Sequence, residues 1–218
     1  MSNYVLKYKR GPVVKYISHL DFVRLFHRTV RRAGVSFIYS QGFNPHPVMT
    51  VAMPLSVGVT SDSEYLKVGF EDNFSPEEIK ERINNAFPSG FEVTEIIKLK
   101  GKEIDFSKIL KAEYIVDIEL ASETDIDIDL YLQNNEIKVM KKSKSGVKEA
   151  DIRPYIYEIK KISKEDNIVK LKMCLTCSPS YNLKPDTVVD ALEKYLGIKT
   201  AFISVHRNKL IFEGEKIL

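Results

Sequence analysis

Residues 64–99 run EYLKVGFEDNFSPEEIKERINNAFPSGFEVTEIIKL. Glu64 to Phe70 has the composition and length of a strand. Ser75, Pro76, Glu77 and Glu78 then supply a cap, a proline at the first helical position and acids in the first turn, where the helix dipole favours them. The spacing predicts a helix that ends near Phe87, before Pro88 and Gly90, and Phe91 to Leu99 reads as the next strand. Upstream, VMTVAM (Val48 to Met53) is a strand candidate, and VLKYKR (Val5 to Arg10) alternates like a strand before the Gly11-Pro12 break. Between them, Ser18 is a natural N-cap with Asp21 three residues on, and Gly34 is a natural stop, which predicts a helix over about 19–33. The order strand, helix, strand, strand, helix, strand is the split βαβ, or ferredoxin-like, arrangement.

The second half repeats the pattern less cleanly. Ala112 to Leu120 and Glu136 to Lys142 read as strands around a short segment near Asp125 to Leu132, and Asn167 to Cys177, Pro185 to Leu196 and Phe202 to Phe212 read as strand, helix, strand. The expectation is an α+β chain of two tandem ferredoxin-like domains, over 1–100 and 112–218, joined by a Lys-rich linker over 101–111. Lys141 to Gly146 is expected to be a flexible hairpin tip.

Charge is distributed unevenly along this chain. The first fifty residues hold eight Lys or Arg against one acid, Asp21, whereas the remainder holds 25 bases and 29 acids, so the overall charge of +3 hides a strongly basic end. That split points to a polyanionic partner docking on one face. On the first helix Leu20, Val23, Phe26 or His27, and Val30 recur at core-facing spacing, which leaves Arg24, Arg28, Arg31 and Arg32 as an outer basic stripe. Arginines at this spacing hold phosphates and stack on bases.

The loop Ser40-Gln41-Gly42-Phe43-Asn44-Pro45-His46-Pro47 is too rich in turn formers to be anything but an ordered connection. Gln41, Asn44 and His46 bring amide and imidazole groups suited to base edges, and Phe43, with Tyr39, offers a stacking surface. A purely structural loop is the competing reading. Catalysis is expected to be absent from this chain, with His19 and His46 as the candidates should it occur. His27, at the border of the apolar and basic faces, is a candidate packed histidine.

Arg153 and Lys184 are expected to extend the basic surface, against the alternatives of an Asp151–Arg153 ion pair and a plain loop before a helix. Cys174 and Cys177 have CxxC spacing, but no second pair completes four ligands and residues three apart on a strand face opposite ways, so no metal is expected. No P-loop, GxGxxG with a distant acid, HExxH, GxSxG or EF-hand pattern occurs. With no apolar leader and no long apolar run, the chain is expected to be soluble and cytoplasmic.

Tyr16-Ile17-Ser18-His19-Leu20-Asp21, the loop from Ser40 to Pro47, Pro54-Leu55 with Gly58-Val59, Glu64-Tyr65-Leu66 and Asp151-Ile152-Arg153-Pro154 together resemble the bacterial radical SAM-linked protein family. Its members occur alone or fused behind a cobalamin-binding radical SAM enzyme. The resemblance implies a partner radical SAM enzyme that carries the SAM, iron–sulfur cluster and cobalamin, with no cofactor in this chain. The expected function is an accessory module that binds RNA, tRNA or rRNA, and presents it for modification, with no membrane or DNA partner. A fainter similarity, to CRISPR repeat-processing endoribonucleases, implies metal-independent cleavage by an early histidine; the C-terminal glycine-rich loop of those enzymes is missing, since Gly197 and Gly214 are isolated. A third expectation is a protein-interaction subunit that binds a protein substrate of the radical SAM enzyme.

Overall fold

Along the first strand, β1 (Ser2–Arg10), the alternation of side chains puts Tyr4, Leu6 and Tyr8 on one face, all three buried, while Val5 is buried on the other. The computed structural model describes residues 2–71, 73–99, 101, 104–143 and 146–214, and the chain divides into two compact units, one running through Lys108 and the other from Ile109 through Glu213. In the first unit β1 is followed by α1 (His19–Arg32), β2 (Met49–Val51), β3 (Thr60–Phe70), α2 (Pro76–Ala86) and β4 (Phe91–Lys98). β1 lies between β4 and β3, β2 pairs with β3 at Leu66 to Val68, and every pairing is antiparallel. Strand order 4-1-3-2 with two helices after β1 and β3 is the ferredoxin-like arrangement, an α+β fold.

The face carrying Tyr4, Leu6 and Tyr8, with Leu66, Val68 and Phe70 of β3, packs against Phe22, Phe26 and Val30 of α1 and Ile79 and Ile83 of α2. Each fully buried side chain of this kind contributes about 1.5–3 kcal/mol. Ser18 accepts from the Asp21 amide at 3.2 Å to start α1, and Gly34, at φ 69°, ends it in the left-handed conformation that glycine tolerates. Ser75 and Glu78 form a full capping box on α2.

One helix phase differs from expectation. Leu20, expected in the core, is 65% exposed, and the buried face of α1 is Phe22, Phe26, Thr29 and Val30. Phe22 stacks on Tyr8 with ring centroids 4.9 Å apart, so the two large aromatics set the rotation of the helix and turn Leu20 outward. Just before the helix, the buried Arg10 guanidinium donates to the carbonyls of Val14, Lys15 and Ile17 and holds the 12–17 turn in place.

The second unit contains β5 (Ile109–Leu120), α3 (Ile128–Leu132), β6 (Lys138–Ser143), β7 (Gly146–Asp151), β8 (Ile156–Glu165), β9 (Ile168–Thr176), α4 (Pro185–Leu196) and β10 (Thr200–Phe212). Its sheet runs β10-β5-β9-β8, again antiparallel and again the ferredoxin-like order, with the β6–β7 hairpin as an insertion paired only with itself. The strand expected over Glu136 to Lys142 is therefore not the second sheet strand. That place belongs to β8, an edge strand on which only Ile156 and Ile159 are buried. Of the expected linker, Lys102 and Glu103 lie outside the described residues, and Ile109 to Lys111 open β5. Lys144 and Ser145 of the expected hairpin tip also lie outside them. No helix among the described residues is long and apolar enough to cross a membrane.

Candidate nucleic-acid interface

The basic stripe on α1 separates into three kinds of arginine. Arg24 shares its charge with Asp21 one turn back, at 3.2 Å, as an exposed pair. Arg32 donates to the Ala86 carbonyl at 2.7 Å and to Thr29 Oγ1 at 3.4 Å, so it caps the carbonyl end of α2 and is committed to the fold. Arg28 and Arg31 are exposed, and their guanidinium groups take no hydrogen-bond or ion-pair partner among the described residues. Two positive groups one turn apart, free of acids, can each hold a phosphate oxygen pair.

His27 lies beside Arg31 on the same helix, and its ring meets Phe37 edge-on at 5.4 Å. Its Nε2 is buried without a partner among the described residues; burial first, and the Arg31 charge second, hold the imidazole below its usual pKa. Phe37 in turn meets Tyr39 at 6.5 Å, and Tyr39 pairs with Pro47 across the root of the 40–47 loop. A continuous chain of contacts thus leads from His27, whose ring feels the Arg31 charge, to that loop.

The loop itself is clamped at both strands. Ser40 N–H donates to the His46 carbonyl at 2.8 Å, and His46 N–H donates to Ser40 Oγ at 3.1 Å. Ser40 Oγ and His46 Nδ1 share a further hydrogen bond of 2.9 Å, which orients the ring and leaves Nε2 without a partner among the described residues. Gly42 takes φ 126°, closed to other residues without strain. Gln41, Phe43, Asn44 and His46 are all exposed. The Ser40 clamp was invisible in the sequence because its partner is six residues away across a loop of undetermined shape.

His19 is the first residue of α1 and half-buried. None of His19, His27 and His46 hydrogen-bonds a carboxylate among the described residues, so none has the orienting acid of a catalytic dyad. Cys174 is half-buried and Cys177 buried, neither in a disulfide, and burial pushes the Cys174 thiol up.

In the second unit, Arg153 is not a free cation: it donates to the Leu132 and Ile156 carbonyls, both at 3.3 Å, and so closes the end of α3. Asp151 accepts from the backbone of Ile137 at 2.8 Å and Arg153 at 2.9 Å, so the alternative of an Asp151–Arg153 ion pair gives way to a carboxylate that fastens backbone. Lys184 is exposed at the N-cap of α4, ahead of Pro185 at the first helical position. Ring contacts from His27 through Phe37 to Tyr39 link the helix that carries Arg28 and Arg31 to the 40–47 loop, while Arg153 and Lys184 belong to the other unit.

Two ferredoxin-like units, one of which carries a helix whose Arg28 and Arg31 are exposed and without partners among the described residues, define an α+β protein with an exposed basic helix face. The chain belongs to the family described as "Uncharacterized protein conserved in bacteria (DUF2344)", which it matches over residues 3–185. No curated protein matches its sequence. Among solved structures it is similar to the crystal structure of a Cbf5-Nop10-Gar1 complex, with TM-score 0.54 and 9% identity over 95% of this chain and 48% of that one. It is also similar to the structure of an H/ACA RNP bound to a substrate RNA containing 2'-deoxyuridine, with TM-score 0.52 and 9% identity over 94% of this chain and 46% of that one. The chain spans about half the length of these solved chains, and at such identity the likeness concerns the fold alone.

Proposed function

We propose that this protein is an RNA-binding accessory module that presents tRNA or rRNA to a partner radical SAM enzyme for modification, without catalysing a reaction itself. The observation that carries the reading is the pair of exposed guanidinium groups of Arg28 and Arg31, without partners among the described residues, on the helix whose His27 leads through Phe37 and Tyr39 to the clamped loop. In this reading Arg28 and Arg31 hold phosphates, with Arg24 as a weaker third contact. Gln41, Asn44 and His46 read base edges. Lys184 remains a candidate for an outlying contact, while Arg32 and Arg153 serve the fold. The similarity to an H/ACA RNP solved with a substrate RNA is consistent with RNA as the ligand. The partner enzyme, with its SAM, cluster and cobalamin, rests on the resemblance to the radical SAM-linked family.

The test is UV crosslinking of the tagged protein in its own cells, followed by sequencing of bound RNA beside an Arg28→Glu/Arg31→Glu control. Enrichment of one RNA class that disappears in the control supports the reading and names the substrate. Equal recovery from both proteins removes it.

A second reading, a subunit that docks a protein, is favoured by Val13, Tyr16 and Leu20, which are 77%, 70% and 65% exposed around the start of α1. RNase-resistant copurification that is lost in Tyr16→Ser/Leu20→Ser supports that reading.

A further inference from the structure

The ring of Phe43 is fully solvent-exposed, at 106%, on a loop that is otherwise polar. A large aromatic side chain left in water forgoes the burial that would stabilise it, and it is normally tucked against its own loop or core. Here the loop holds it out. The hydrogen bonds between Ser40 and His46 close the loop's two arms, Tyr39 and Pro47 pair below them, and Gly42, immediately before Phe43, takes a backbone conformation that only glycine adopts freely. The ring is thus carried on a preorganised support, which lowers the ordering cost of any contact it makes.

The groups around it are of one chemical kind. Gln41 and Asn44 flank it in sequence with exposed amides, and His46 presents an Nε2 without a partner among the described residues, so the loop supplies donors and acceptors for the edge of an occupant stacked on the ring. A nucleobase has this pattern of apolar face and hydrogen-bonding edge. In duplex RNA the base faces are occupied by neighbouring base pairs and the major groove is too deep and narrow for side chains, whereas bases in loops, bulges and ends are free to splay out. We infer that the ligand of this site is an unpaired stretch of RNA, and that Phe43 is the platform on which one of its bases stacks.

The inference rests on the RNA-binding reading and narrows it. Arg28 and Arg31 hold the backbone of either paired or unpaired RNA, but Phe43 engages only the unpaired form. Phe43 is then the residue that decides between substrates, and the phosphate contacts supply affinity that is indifferent to pairing.

The experiment titrates the full chain with two probes, an RNA hairpin carrying 2-aminopurine in its loop and the same strand annealed to its full complement. Stacking of one base is expected to give wild type a preference for the hairpin of about 5- to 150-fold, together with a change in 2-aminopurine emission. Phe43→Ala is expected to lose both while keeping its affinity for the duplex and its melting temperature, and Phe43→Trp to keep both. The inference is overturned if Phe43→Ala binds the hairpin as wild type does, or weakens hairpin and duplex alike, while Arg28→Glu/Arg31→Glu abolishes binding; RNA binding then stands without the stacking. It is equally overturned if Phe43→Ala instead loses a copurifying protein and keeps its RNA. If wild type binds neither probe, nor any RNA recovered by crosslinking, the RNA reading itself falls and takes the inference with it.

Discussion

Removing Arg28 and Arg31 together should change how RNA affinity responds to salt, whereas removing Arg32 should change how well the protein holds together. Arg28 and Arg31 stand in solvent without partners among the described residues, so each is free to displace a counterion from a phosphate. Each phosphate contact contributes about 0.7 to 0.9 to the slope of log affinity against log salt, and the double alanine variant should lose about 1.4 to 1.8 of that slope. Over a fourfold rise in salt the lost sensitivity amounts to about a 7- to 12-fold factor. Its stability should stay within about 0.5 kcal/mol of wild type, as for surface positions without structural contacts. Arg32→Ala breaks the 2.7 Å bond to the Ala86 carbonyl. That variant should keep the slope and lose about 0.5–1.5 kcal/mol. The assays are fluorescence anisotropy of a labelled RNA at graded salt and thermal denaturation of the same three proteins. The division of roles is refuted if Arg32→Ala lowers the slope as much as the double variant does, or if the double variant keeps its slope.

Gly90 donates no side chain but carries its own constraint: its φ is 100°, its carbonyl accepts from the Gly11 amide at 2.7 Å, and a Cβ would meet a Val14 methyl at 3.0 Å. Gly90→Ala should therefore cost about 2 kcal/mol or more, read as a lower denaturation midpoint with unchanged slope. Tyr131 is buried with its hydroxyl unpartnered among the described residues, and burial pushes its pKa up, so Tyr131→Phe should be neutral or stabilise by up to about 1 kcal/mol; clear destabilisation in a thermal melt would reveal a bond that the hydroxyl makes. His27 is held below its ordinary pKa of 6.5 by burial and Arg31, so the unfolded chain binds the proton more readily. Stability from this group is present above about pH 6.5 and declines as pH falls below it. Denaturation midpoints measured from pH 7.5 to 5.5 should fall less steeply in His27→Leu, and identical pH profiles would exclude the effect.

Where the signal was local, the sequence was sufficient. Pro185 at the first position of a helix through Leu196, and the Ser75 to Glu78 cap, were readable because both the residues and their partners lie within one turn. The phase of α1 was not, because it is decided by the stacking of Phe22 on Tyr8, a contact between elements. β8 was missed because an edge strand with Glu158, Lys160, Lys161, Lys164 and Glu165 among its ten residues buries little and alternates weakly. Glu136 to Lys142 looked like a sheet strand because pairing with the sheet or within a separate hairpin leaves the same local pattern. In the candidate site, the basic residues were visible but their freedom was not. Arg32 finds its acceptor 54 residues away and Arg153 finds one 21 residues away, and only those long-range bonds separate cations that serve the fold from cations left for a ligand.

The same topology occurs twice in this chain, and its electrostatics differ in a way that bears on where a polyanion would bind. On the sheet of the second unit, away from the buried residues of β5, the cations are answered by acids. Lys172 meets Glu113 at 2.9 Å, Lys170 meets Asp117 at 3.5 Å and Lys160 meets Glu158 at 2.6 Å, while Lys111 lies over the Tyr157 ring at 3.6 Å. A phosphate approaching that surface would have to displace carboxylates already in place, so each new attraction is offset by a lost one. The one acid in α1, Asp21, is engaged with Ser18 and Arg24, and Arg28 and Arg31 face solvent without partners among the described residues. Where a polyanion would bind therefore follows from which cations lack partners among the described residues rather than from how many cations there are. By that criterion the helix and loop of the first unit offer phosphate contacts that the paired charges on the second unit's sheet do not.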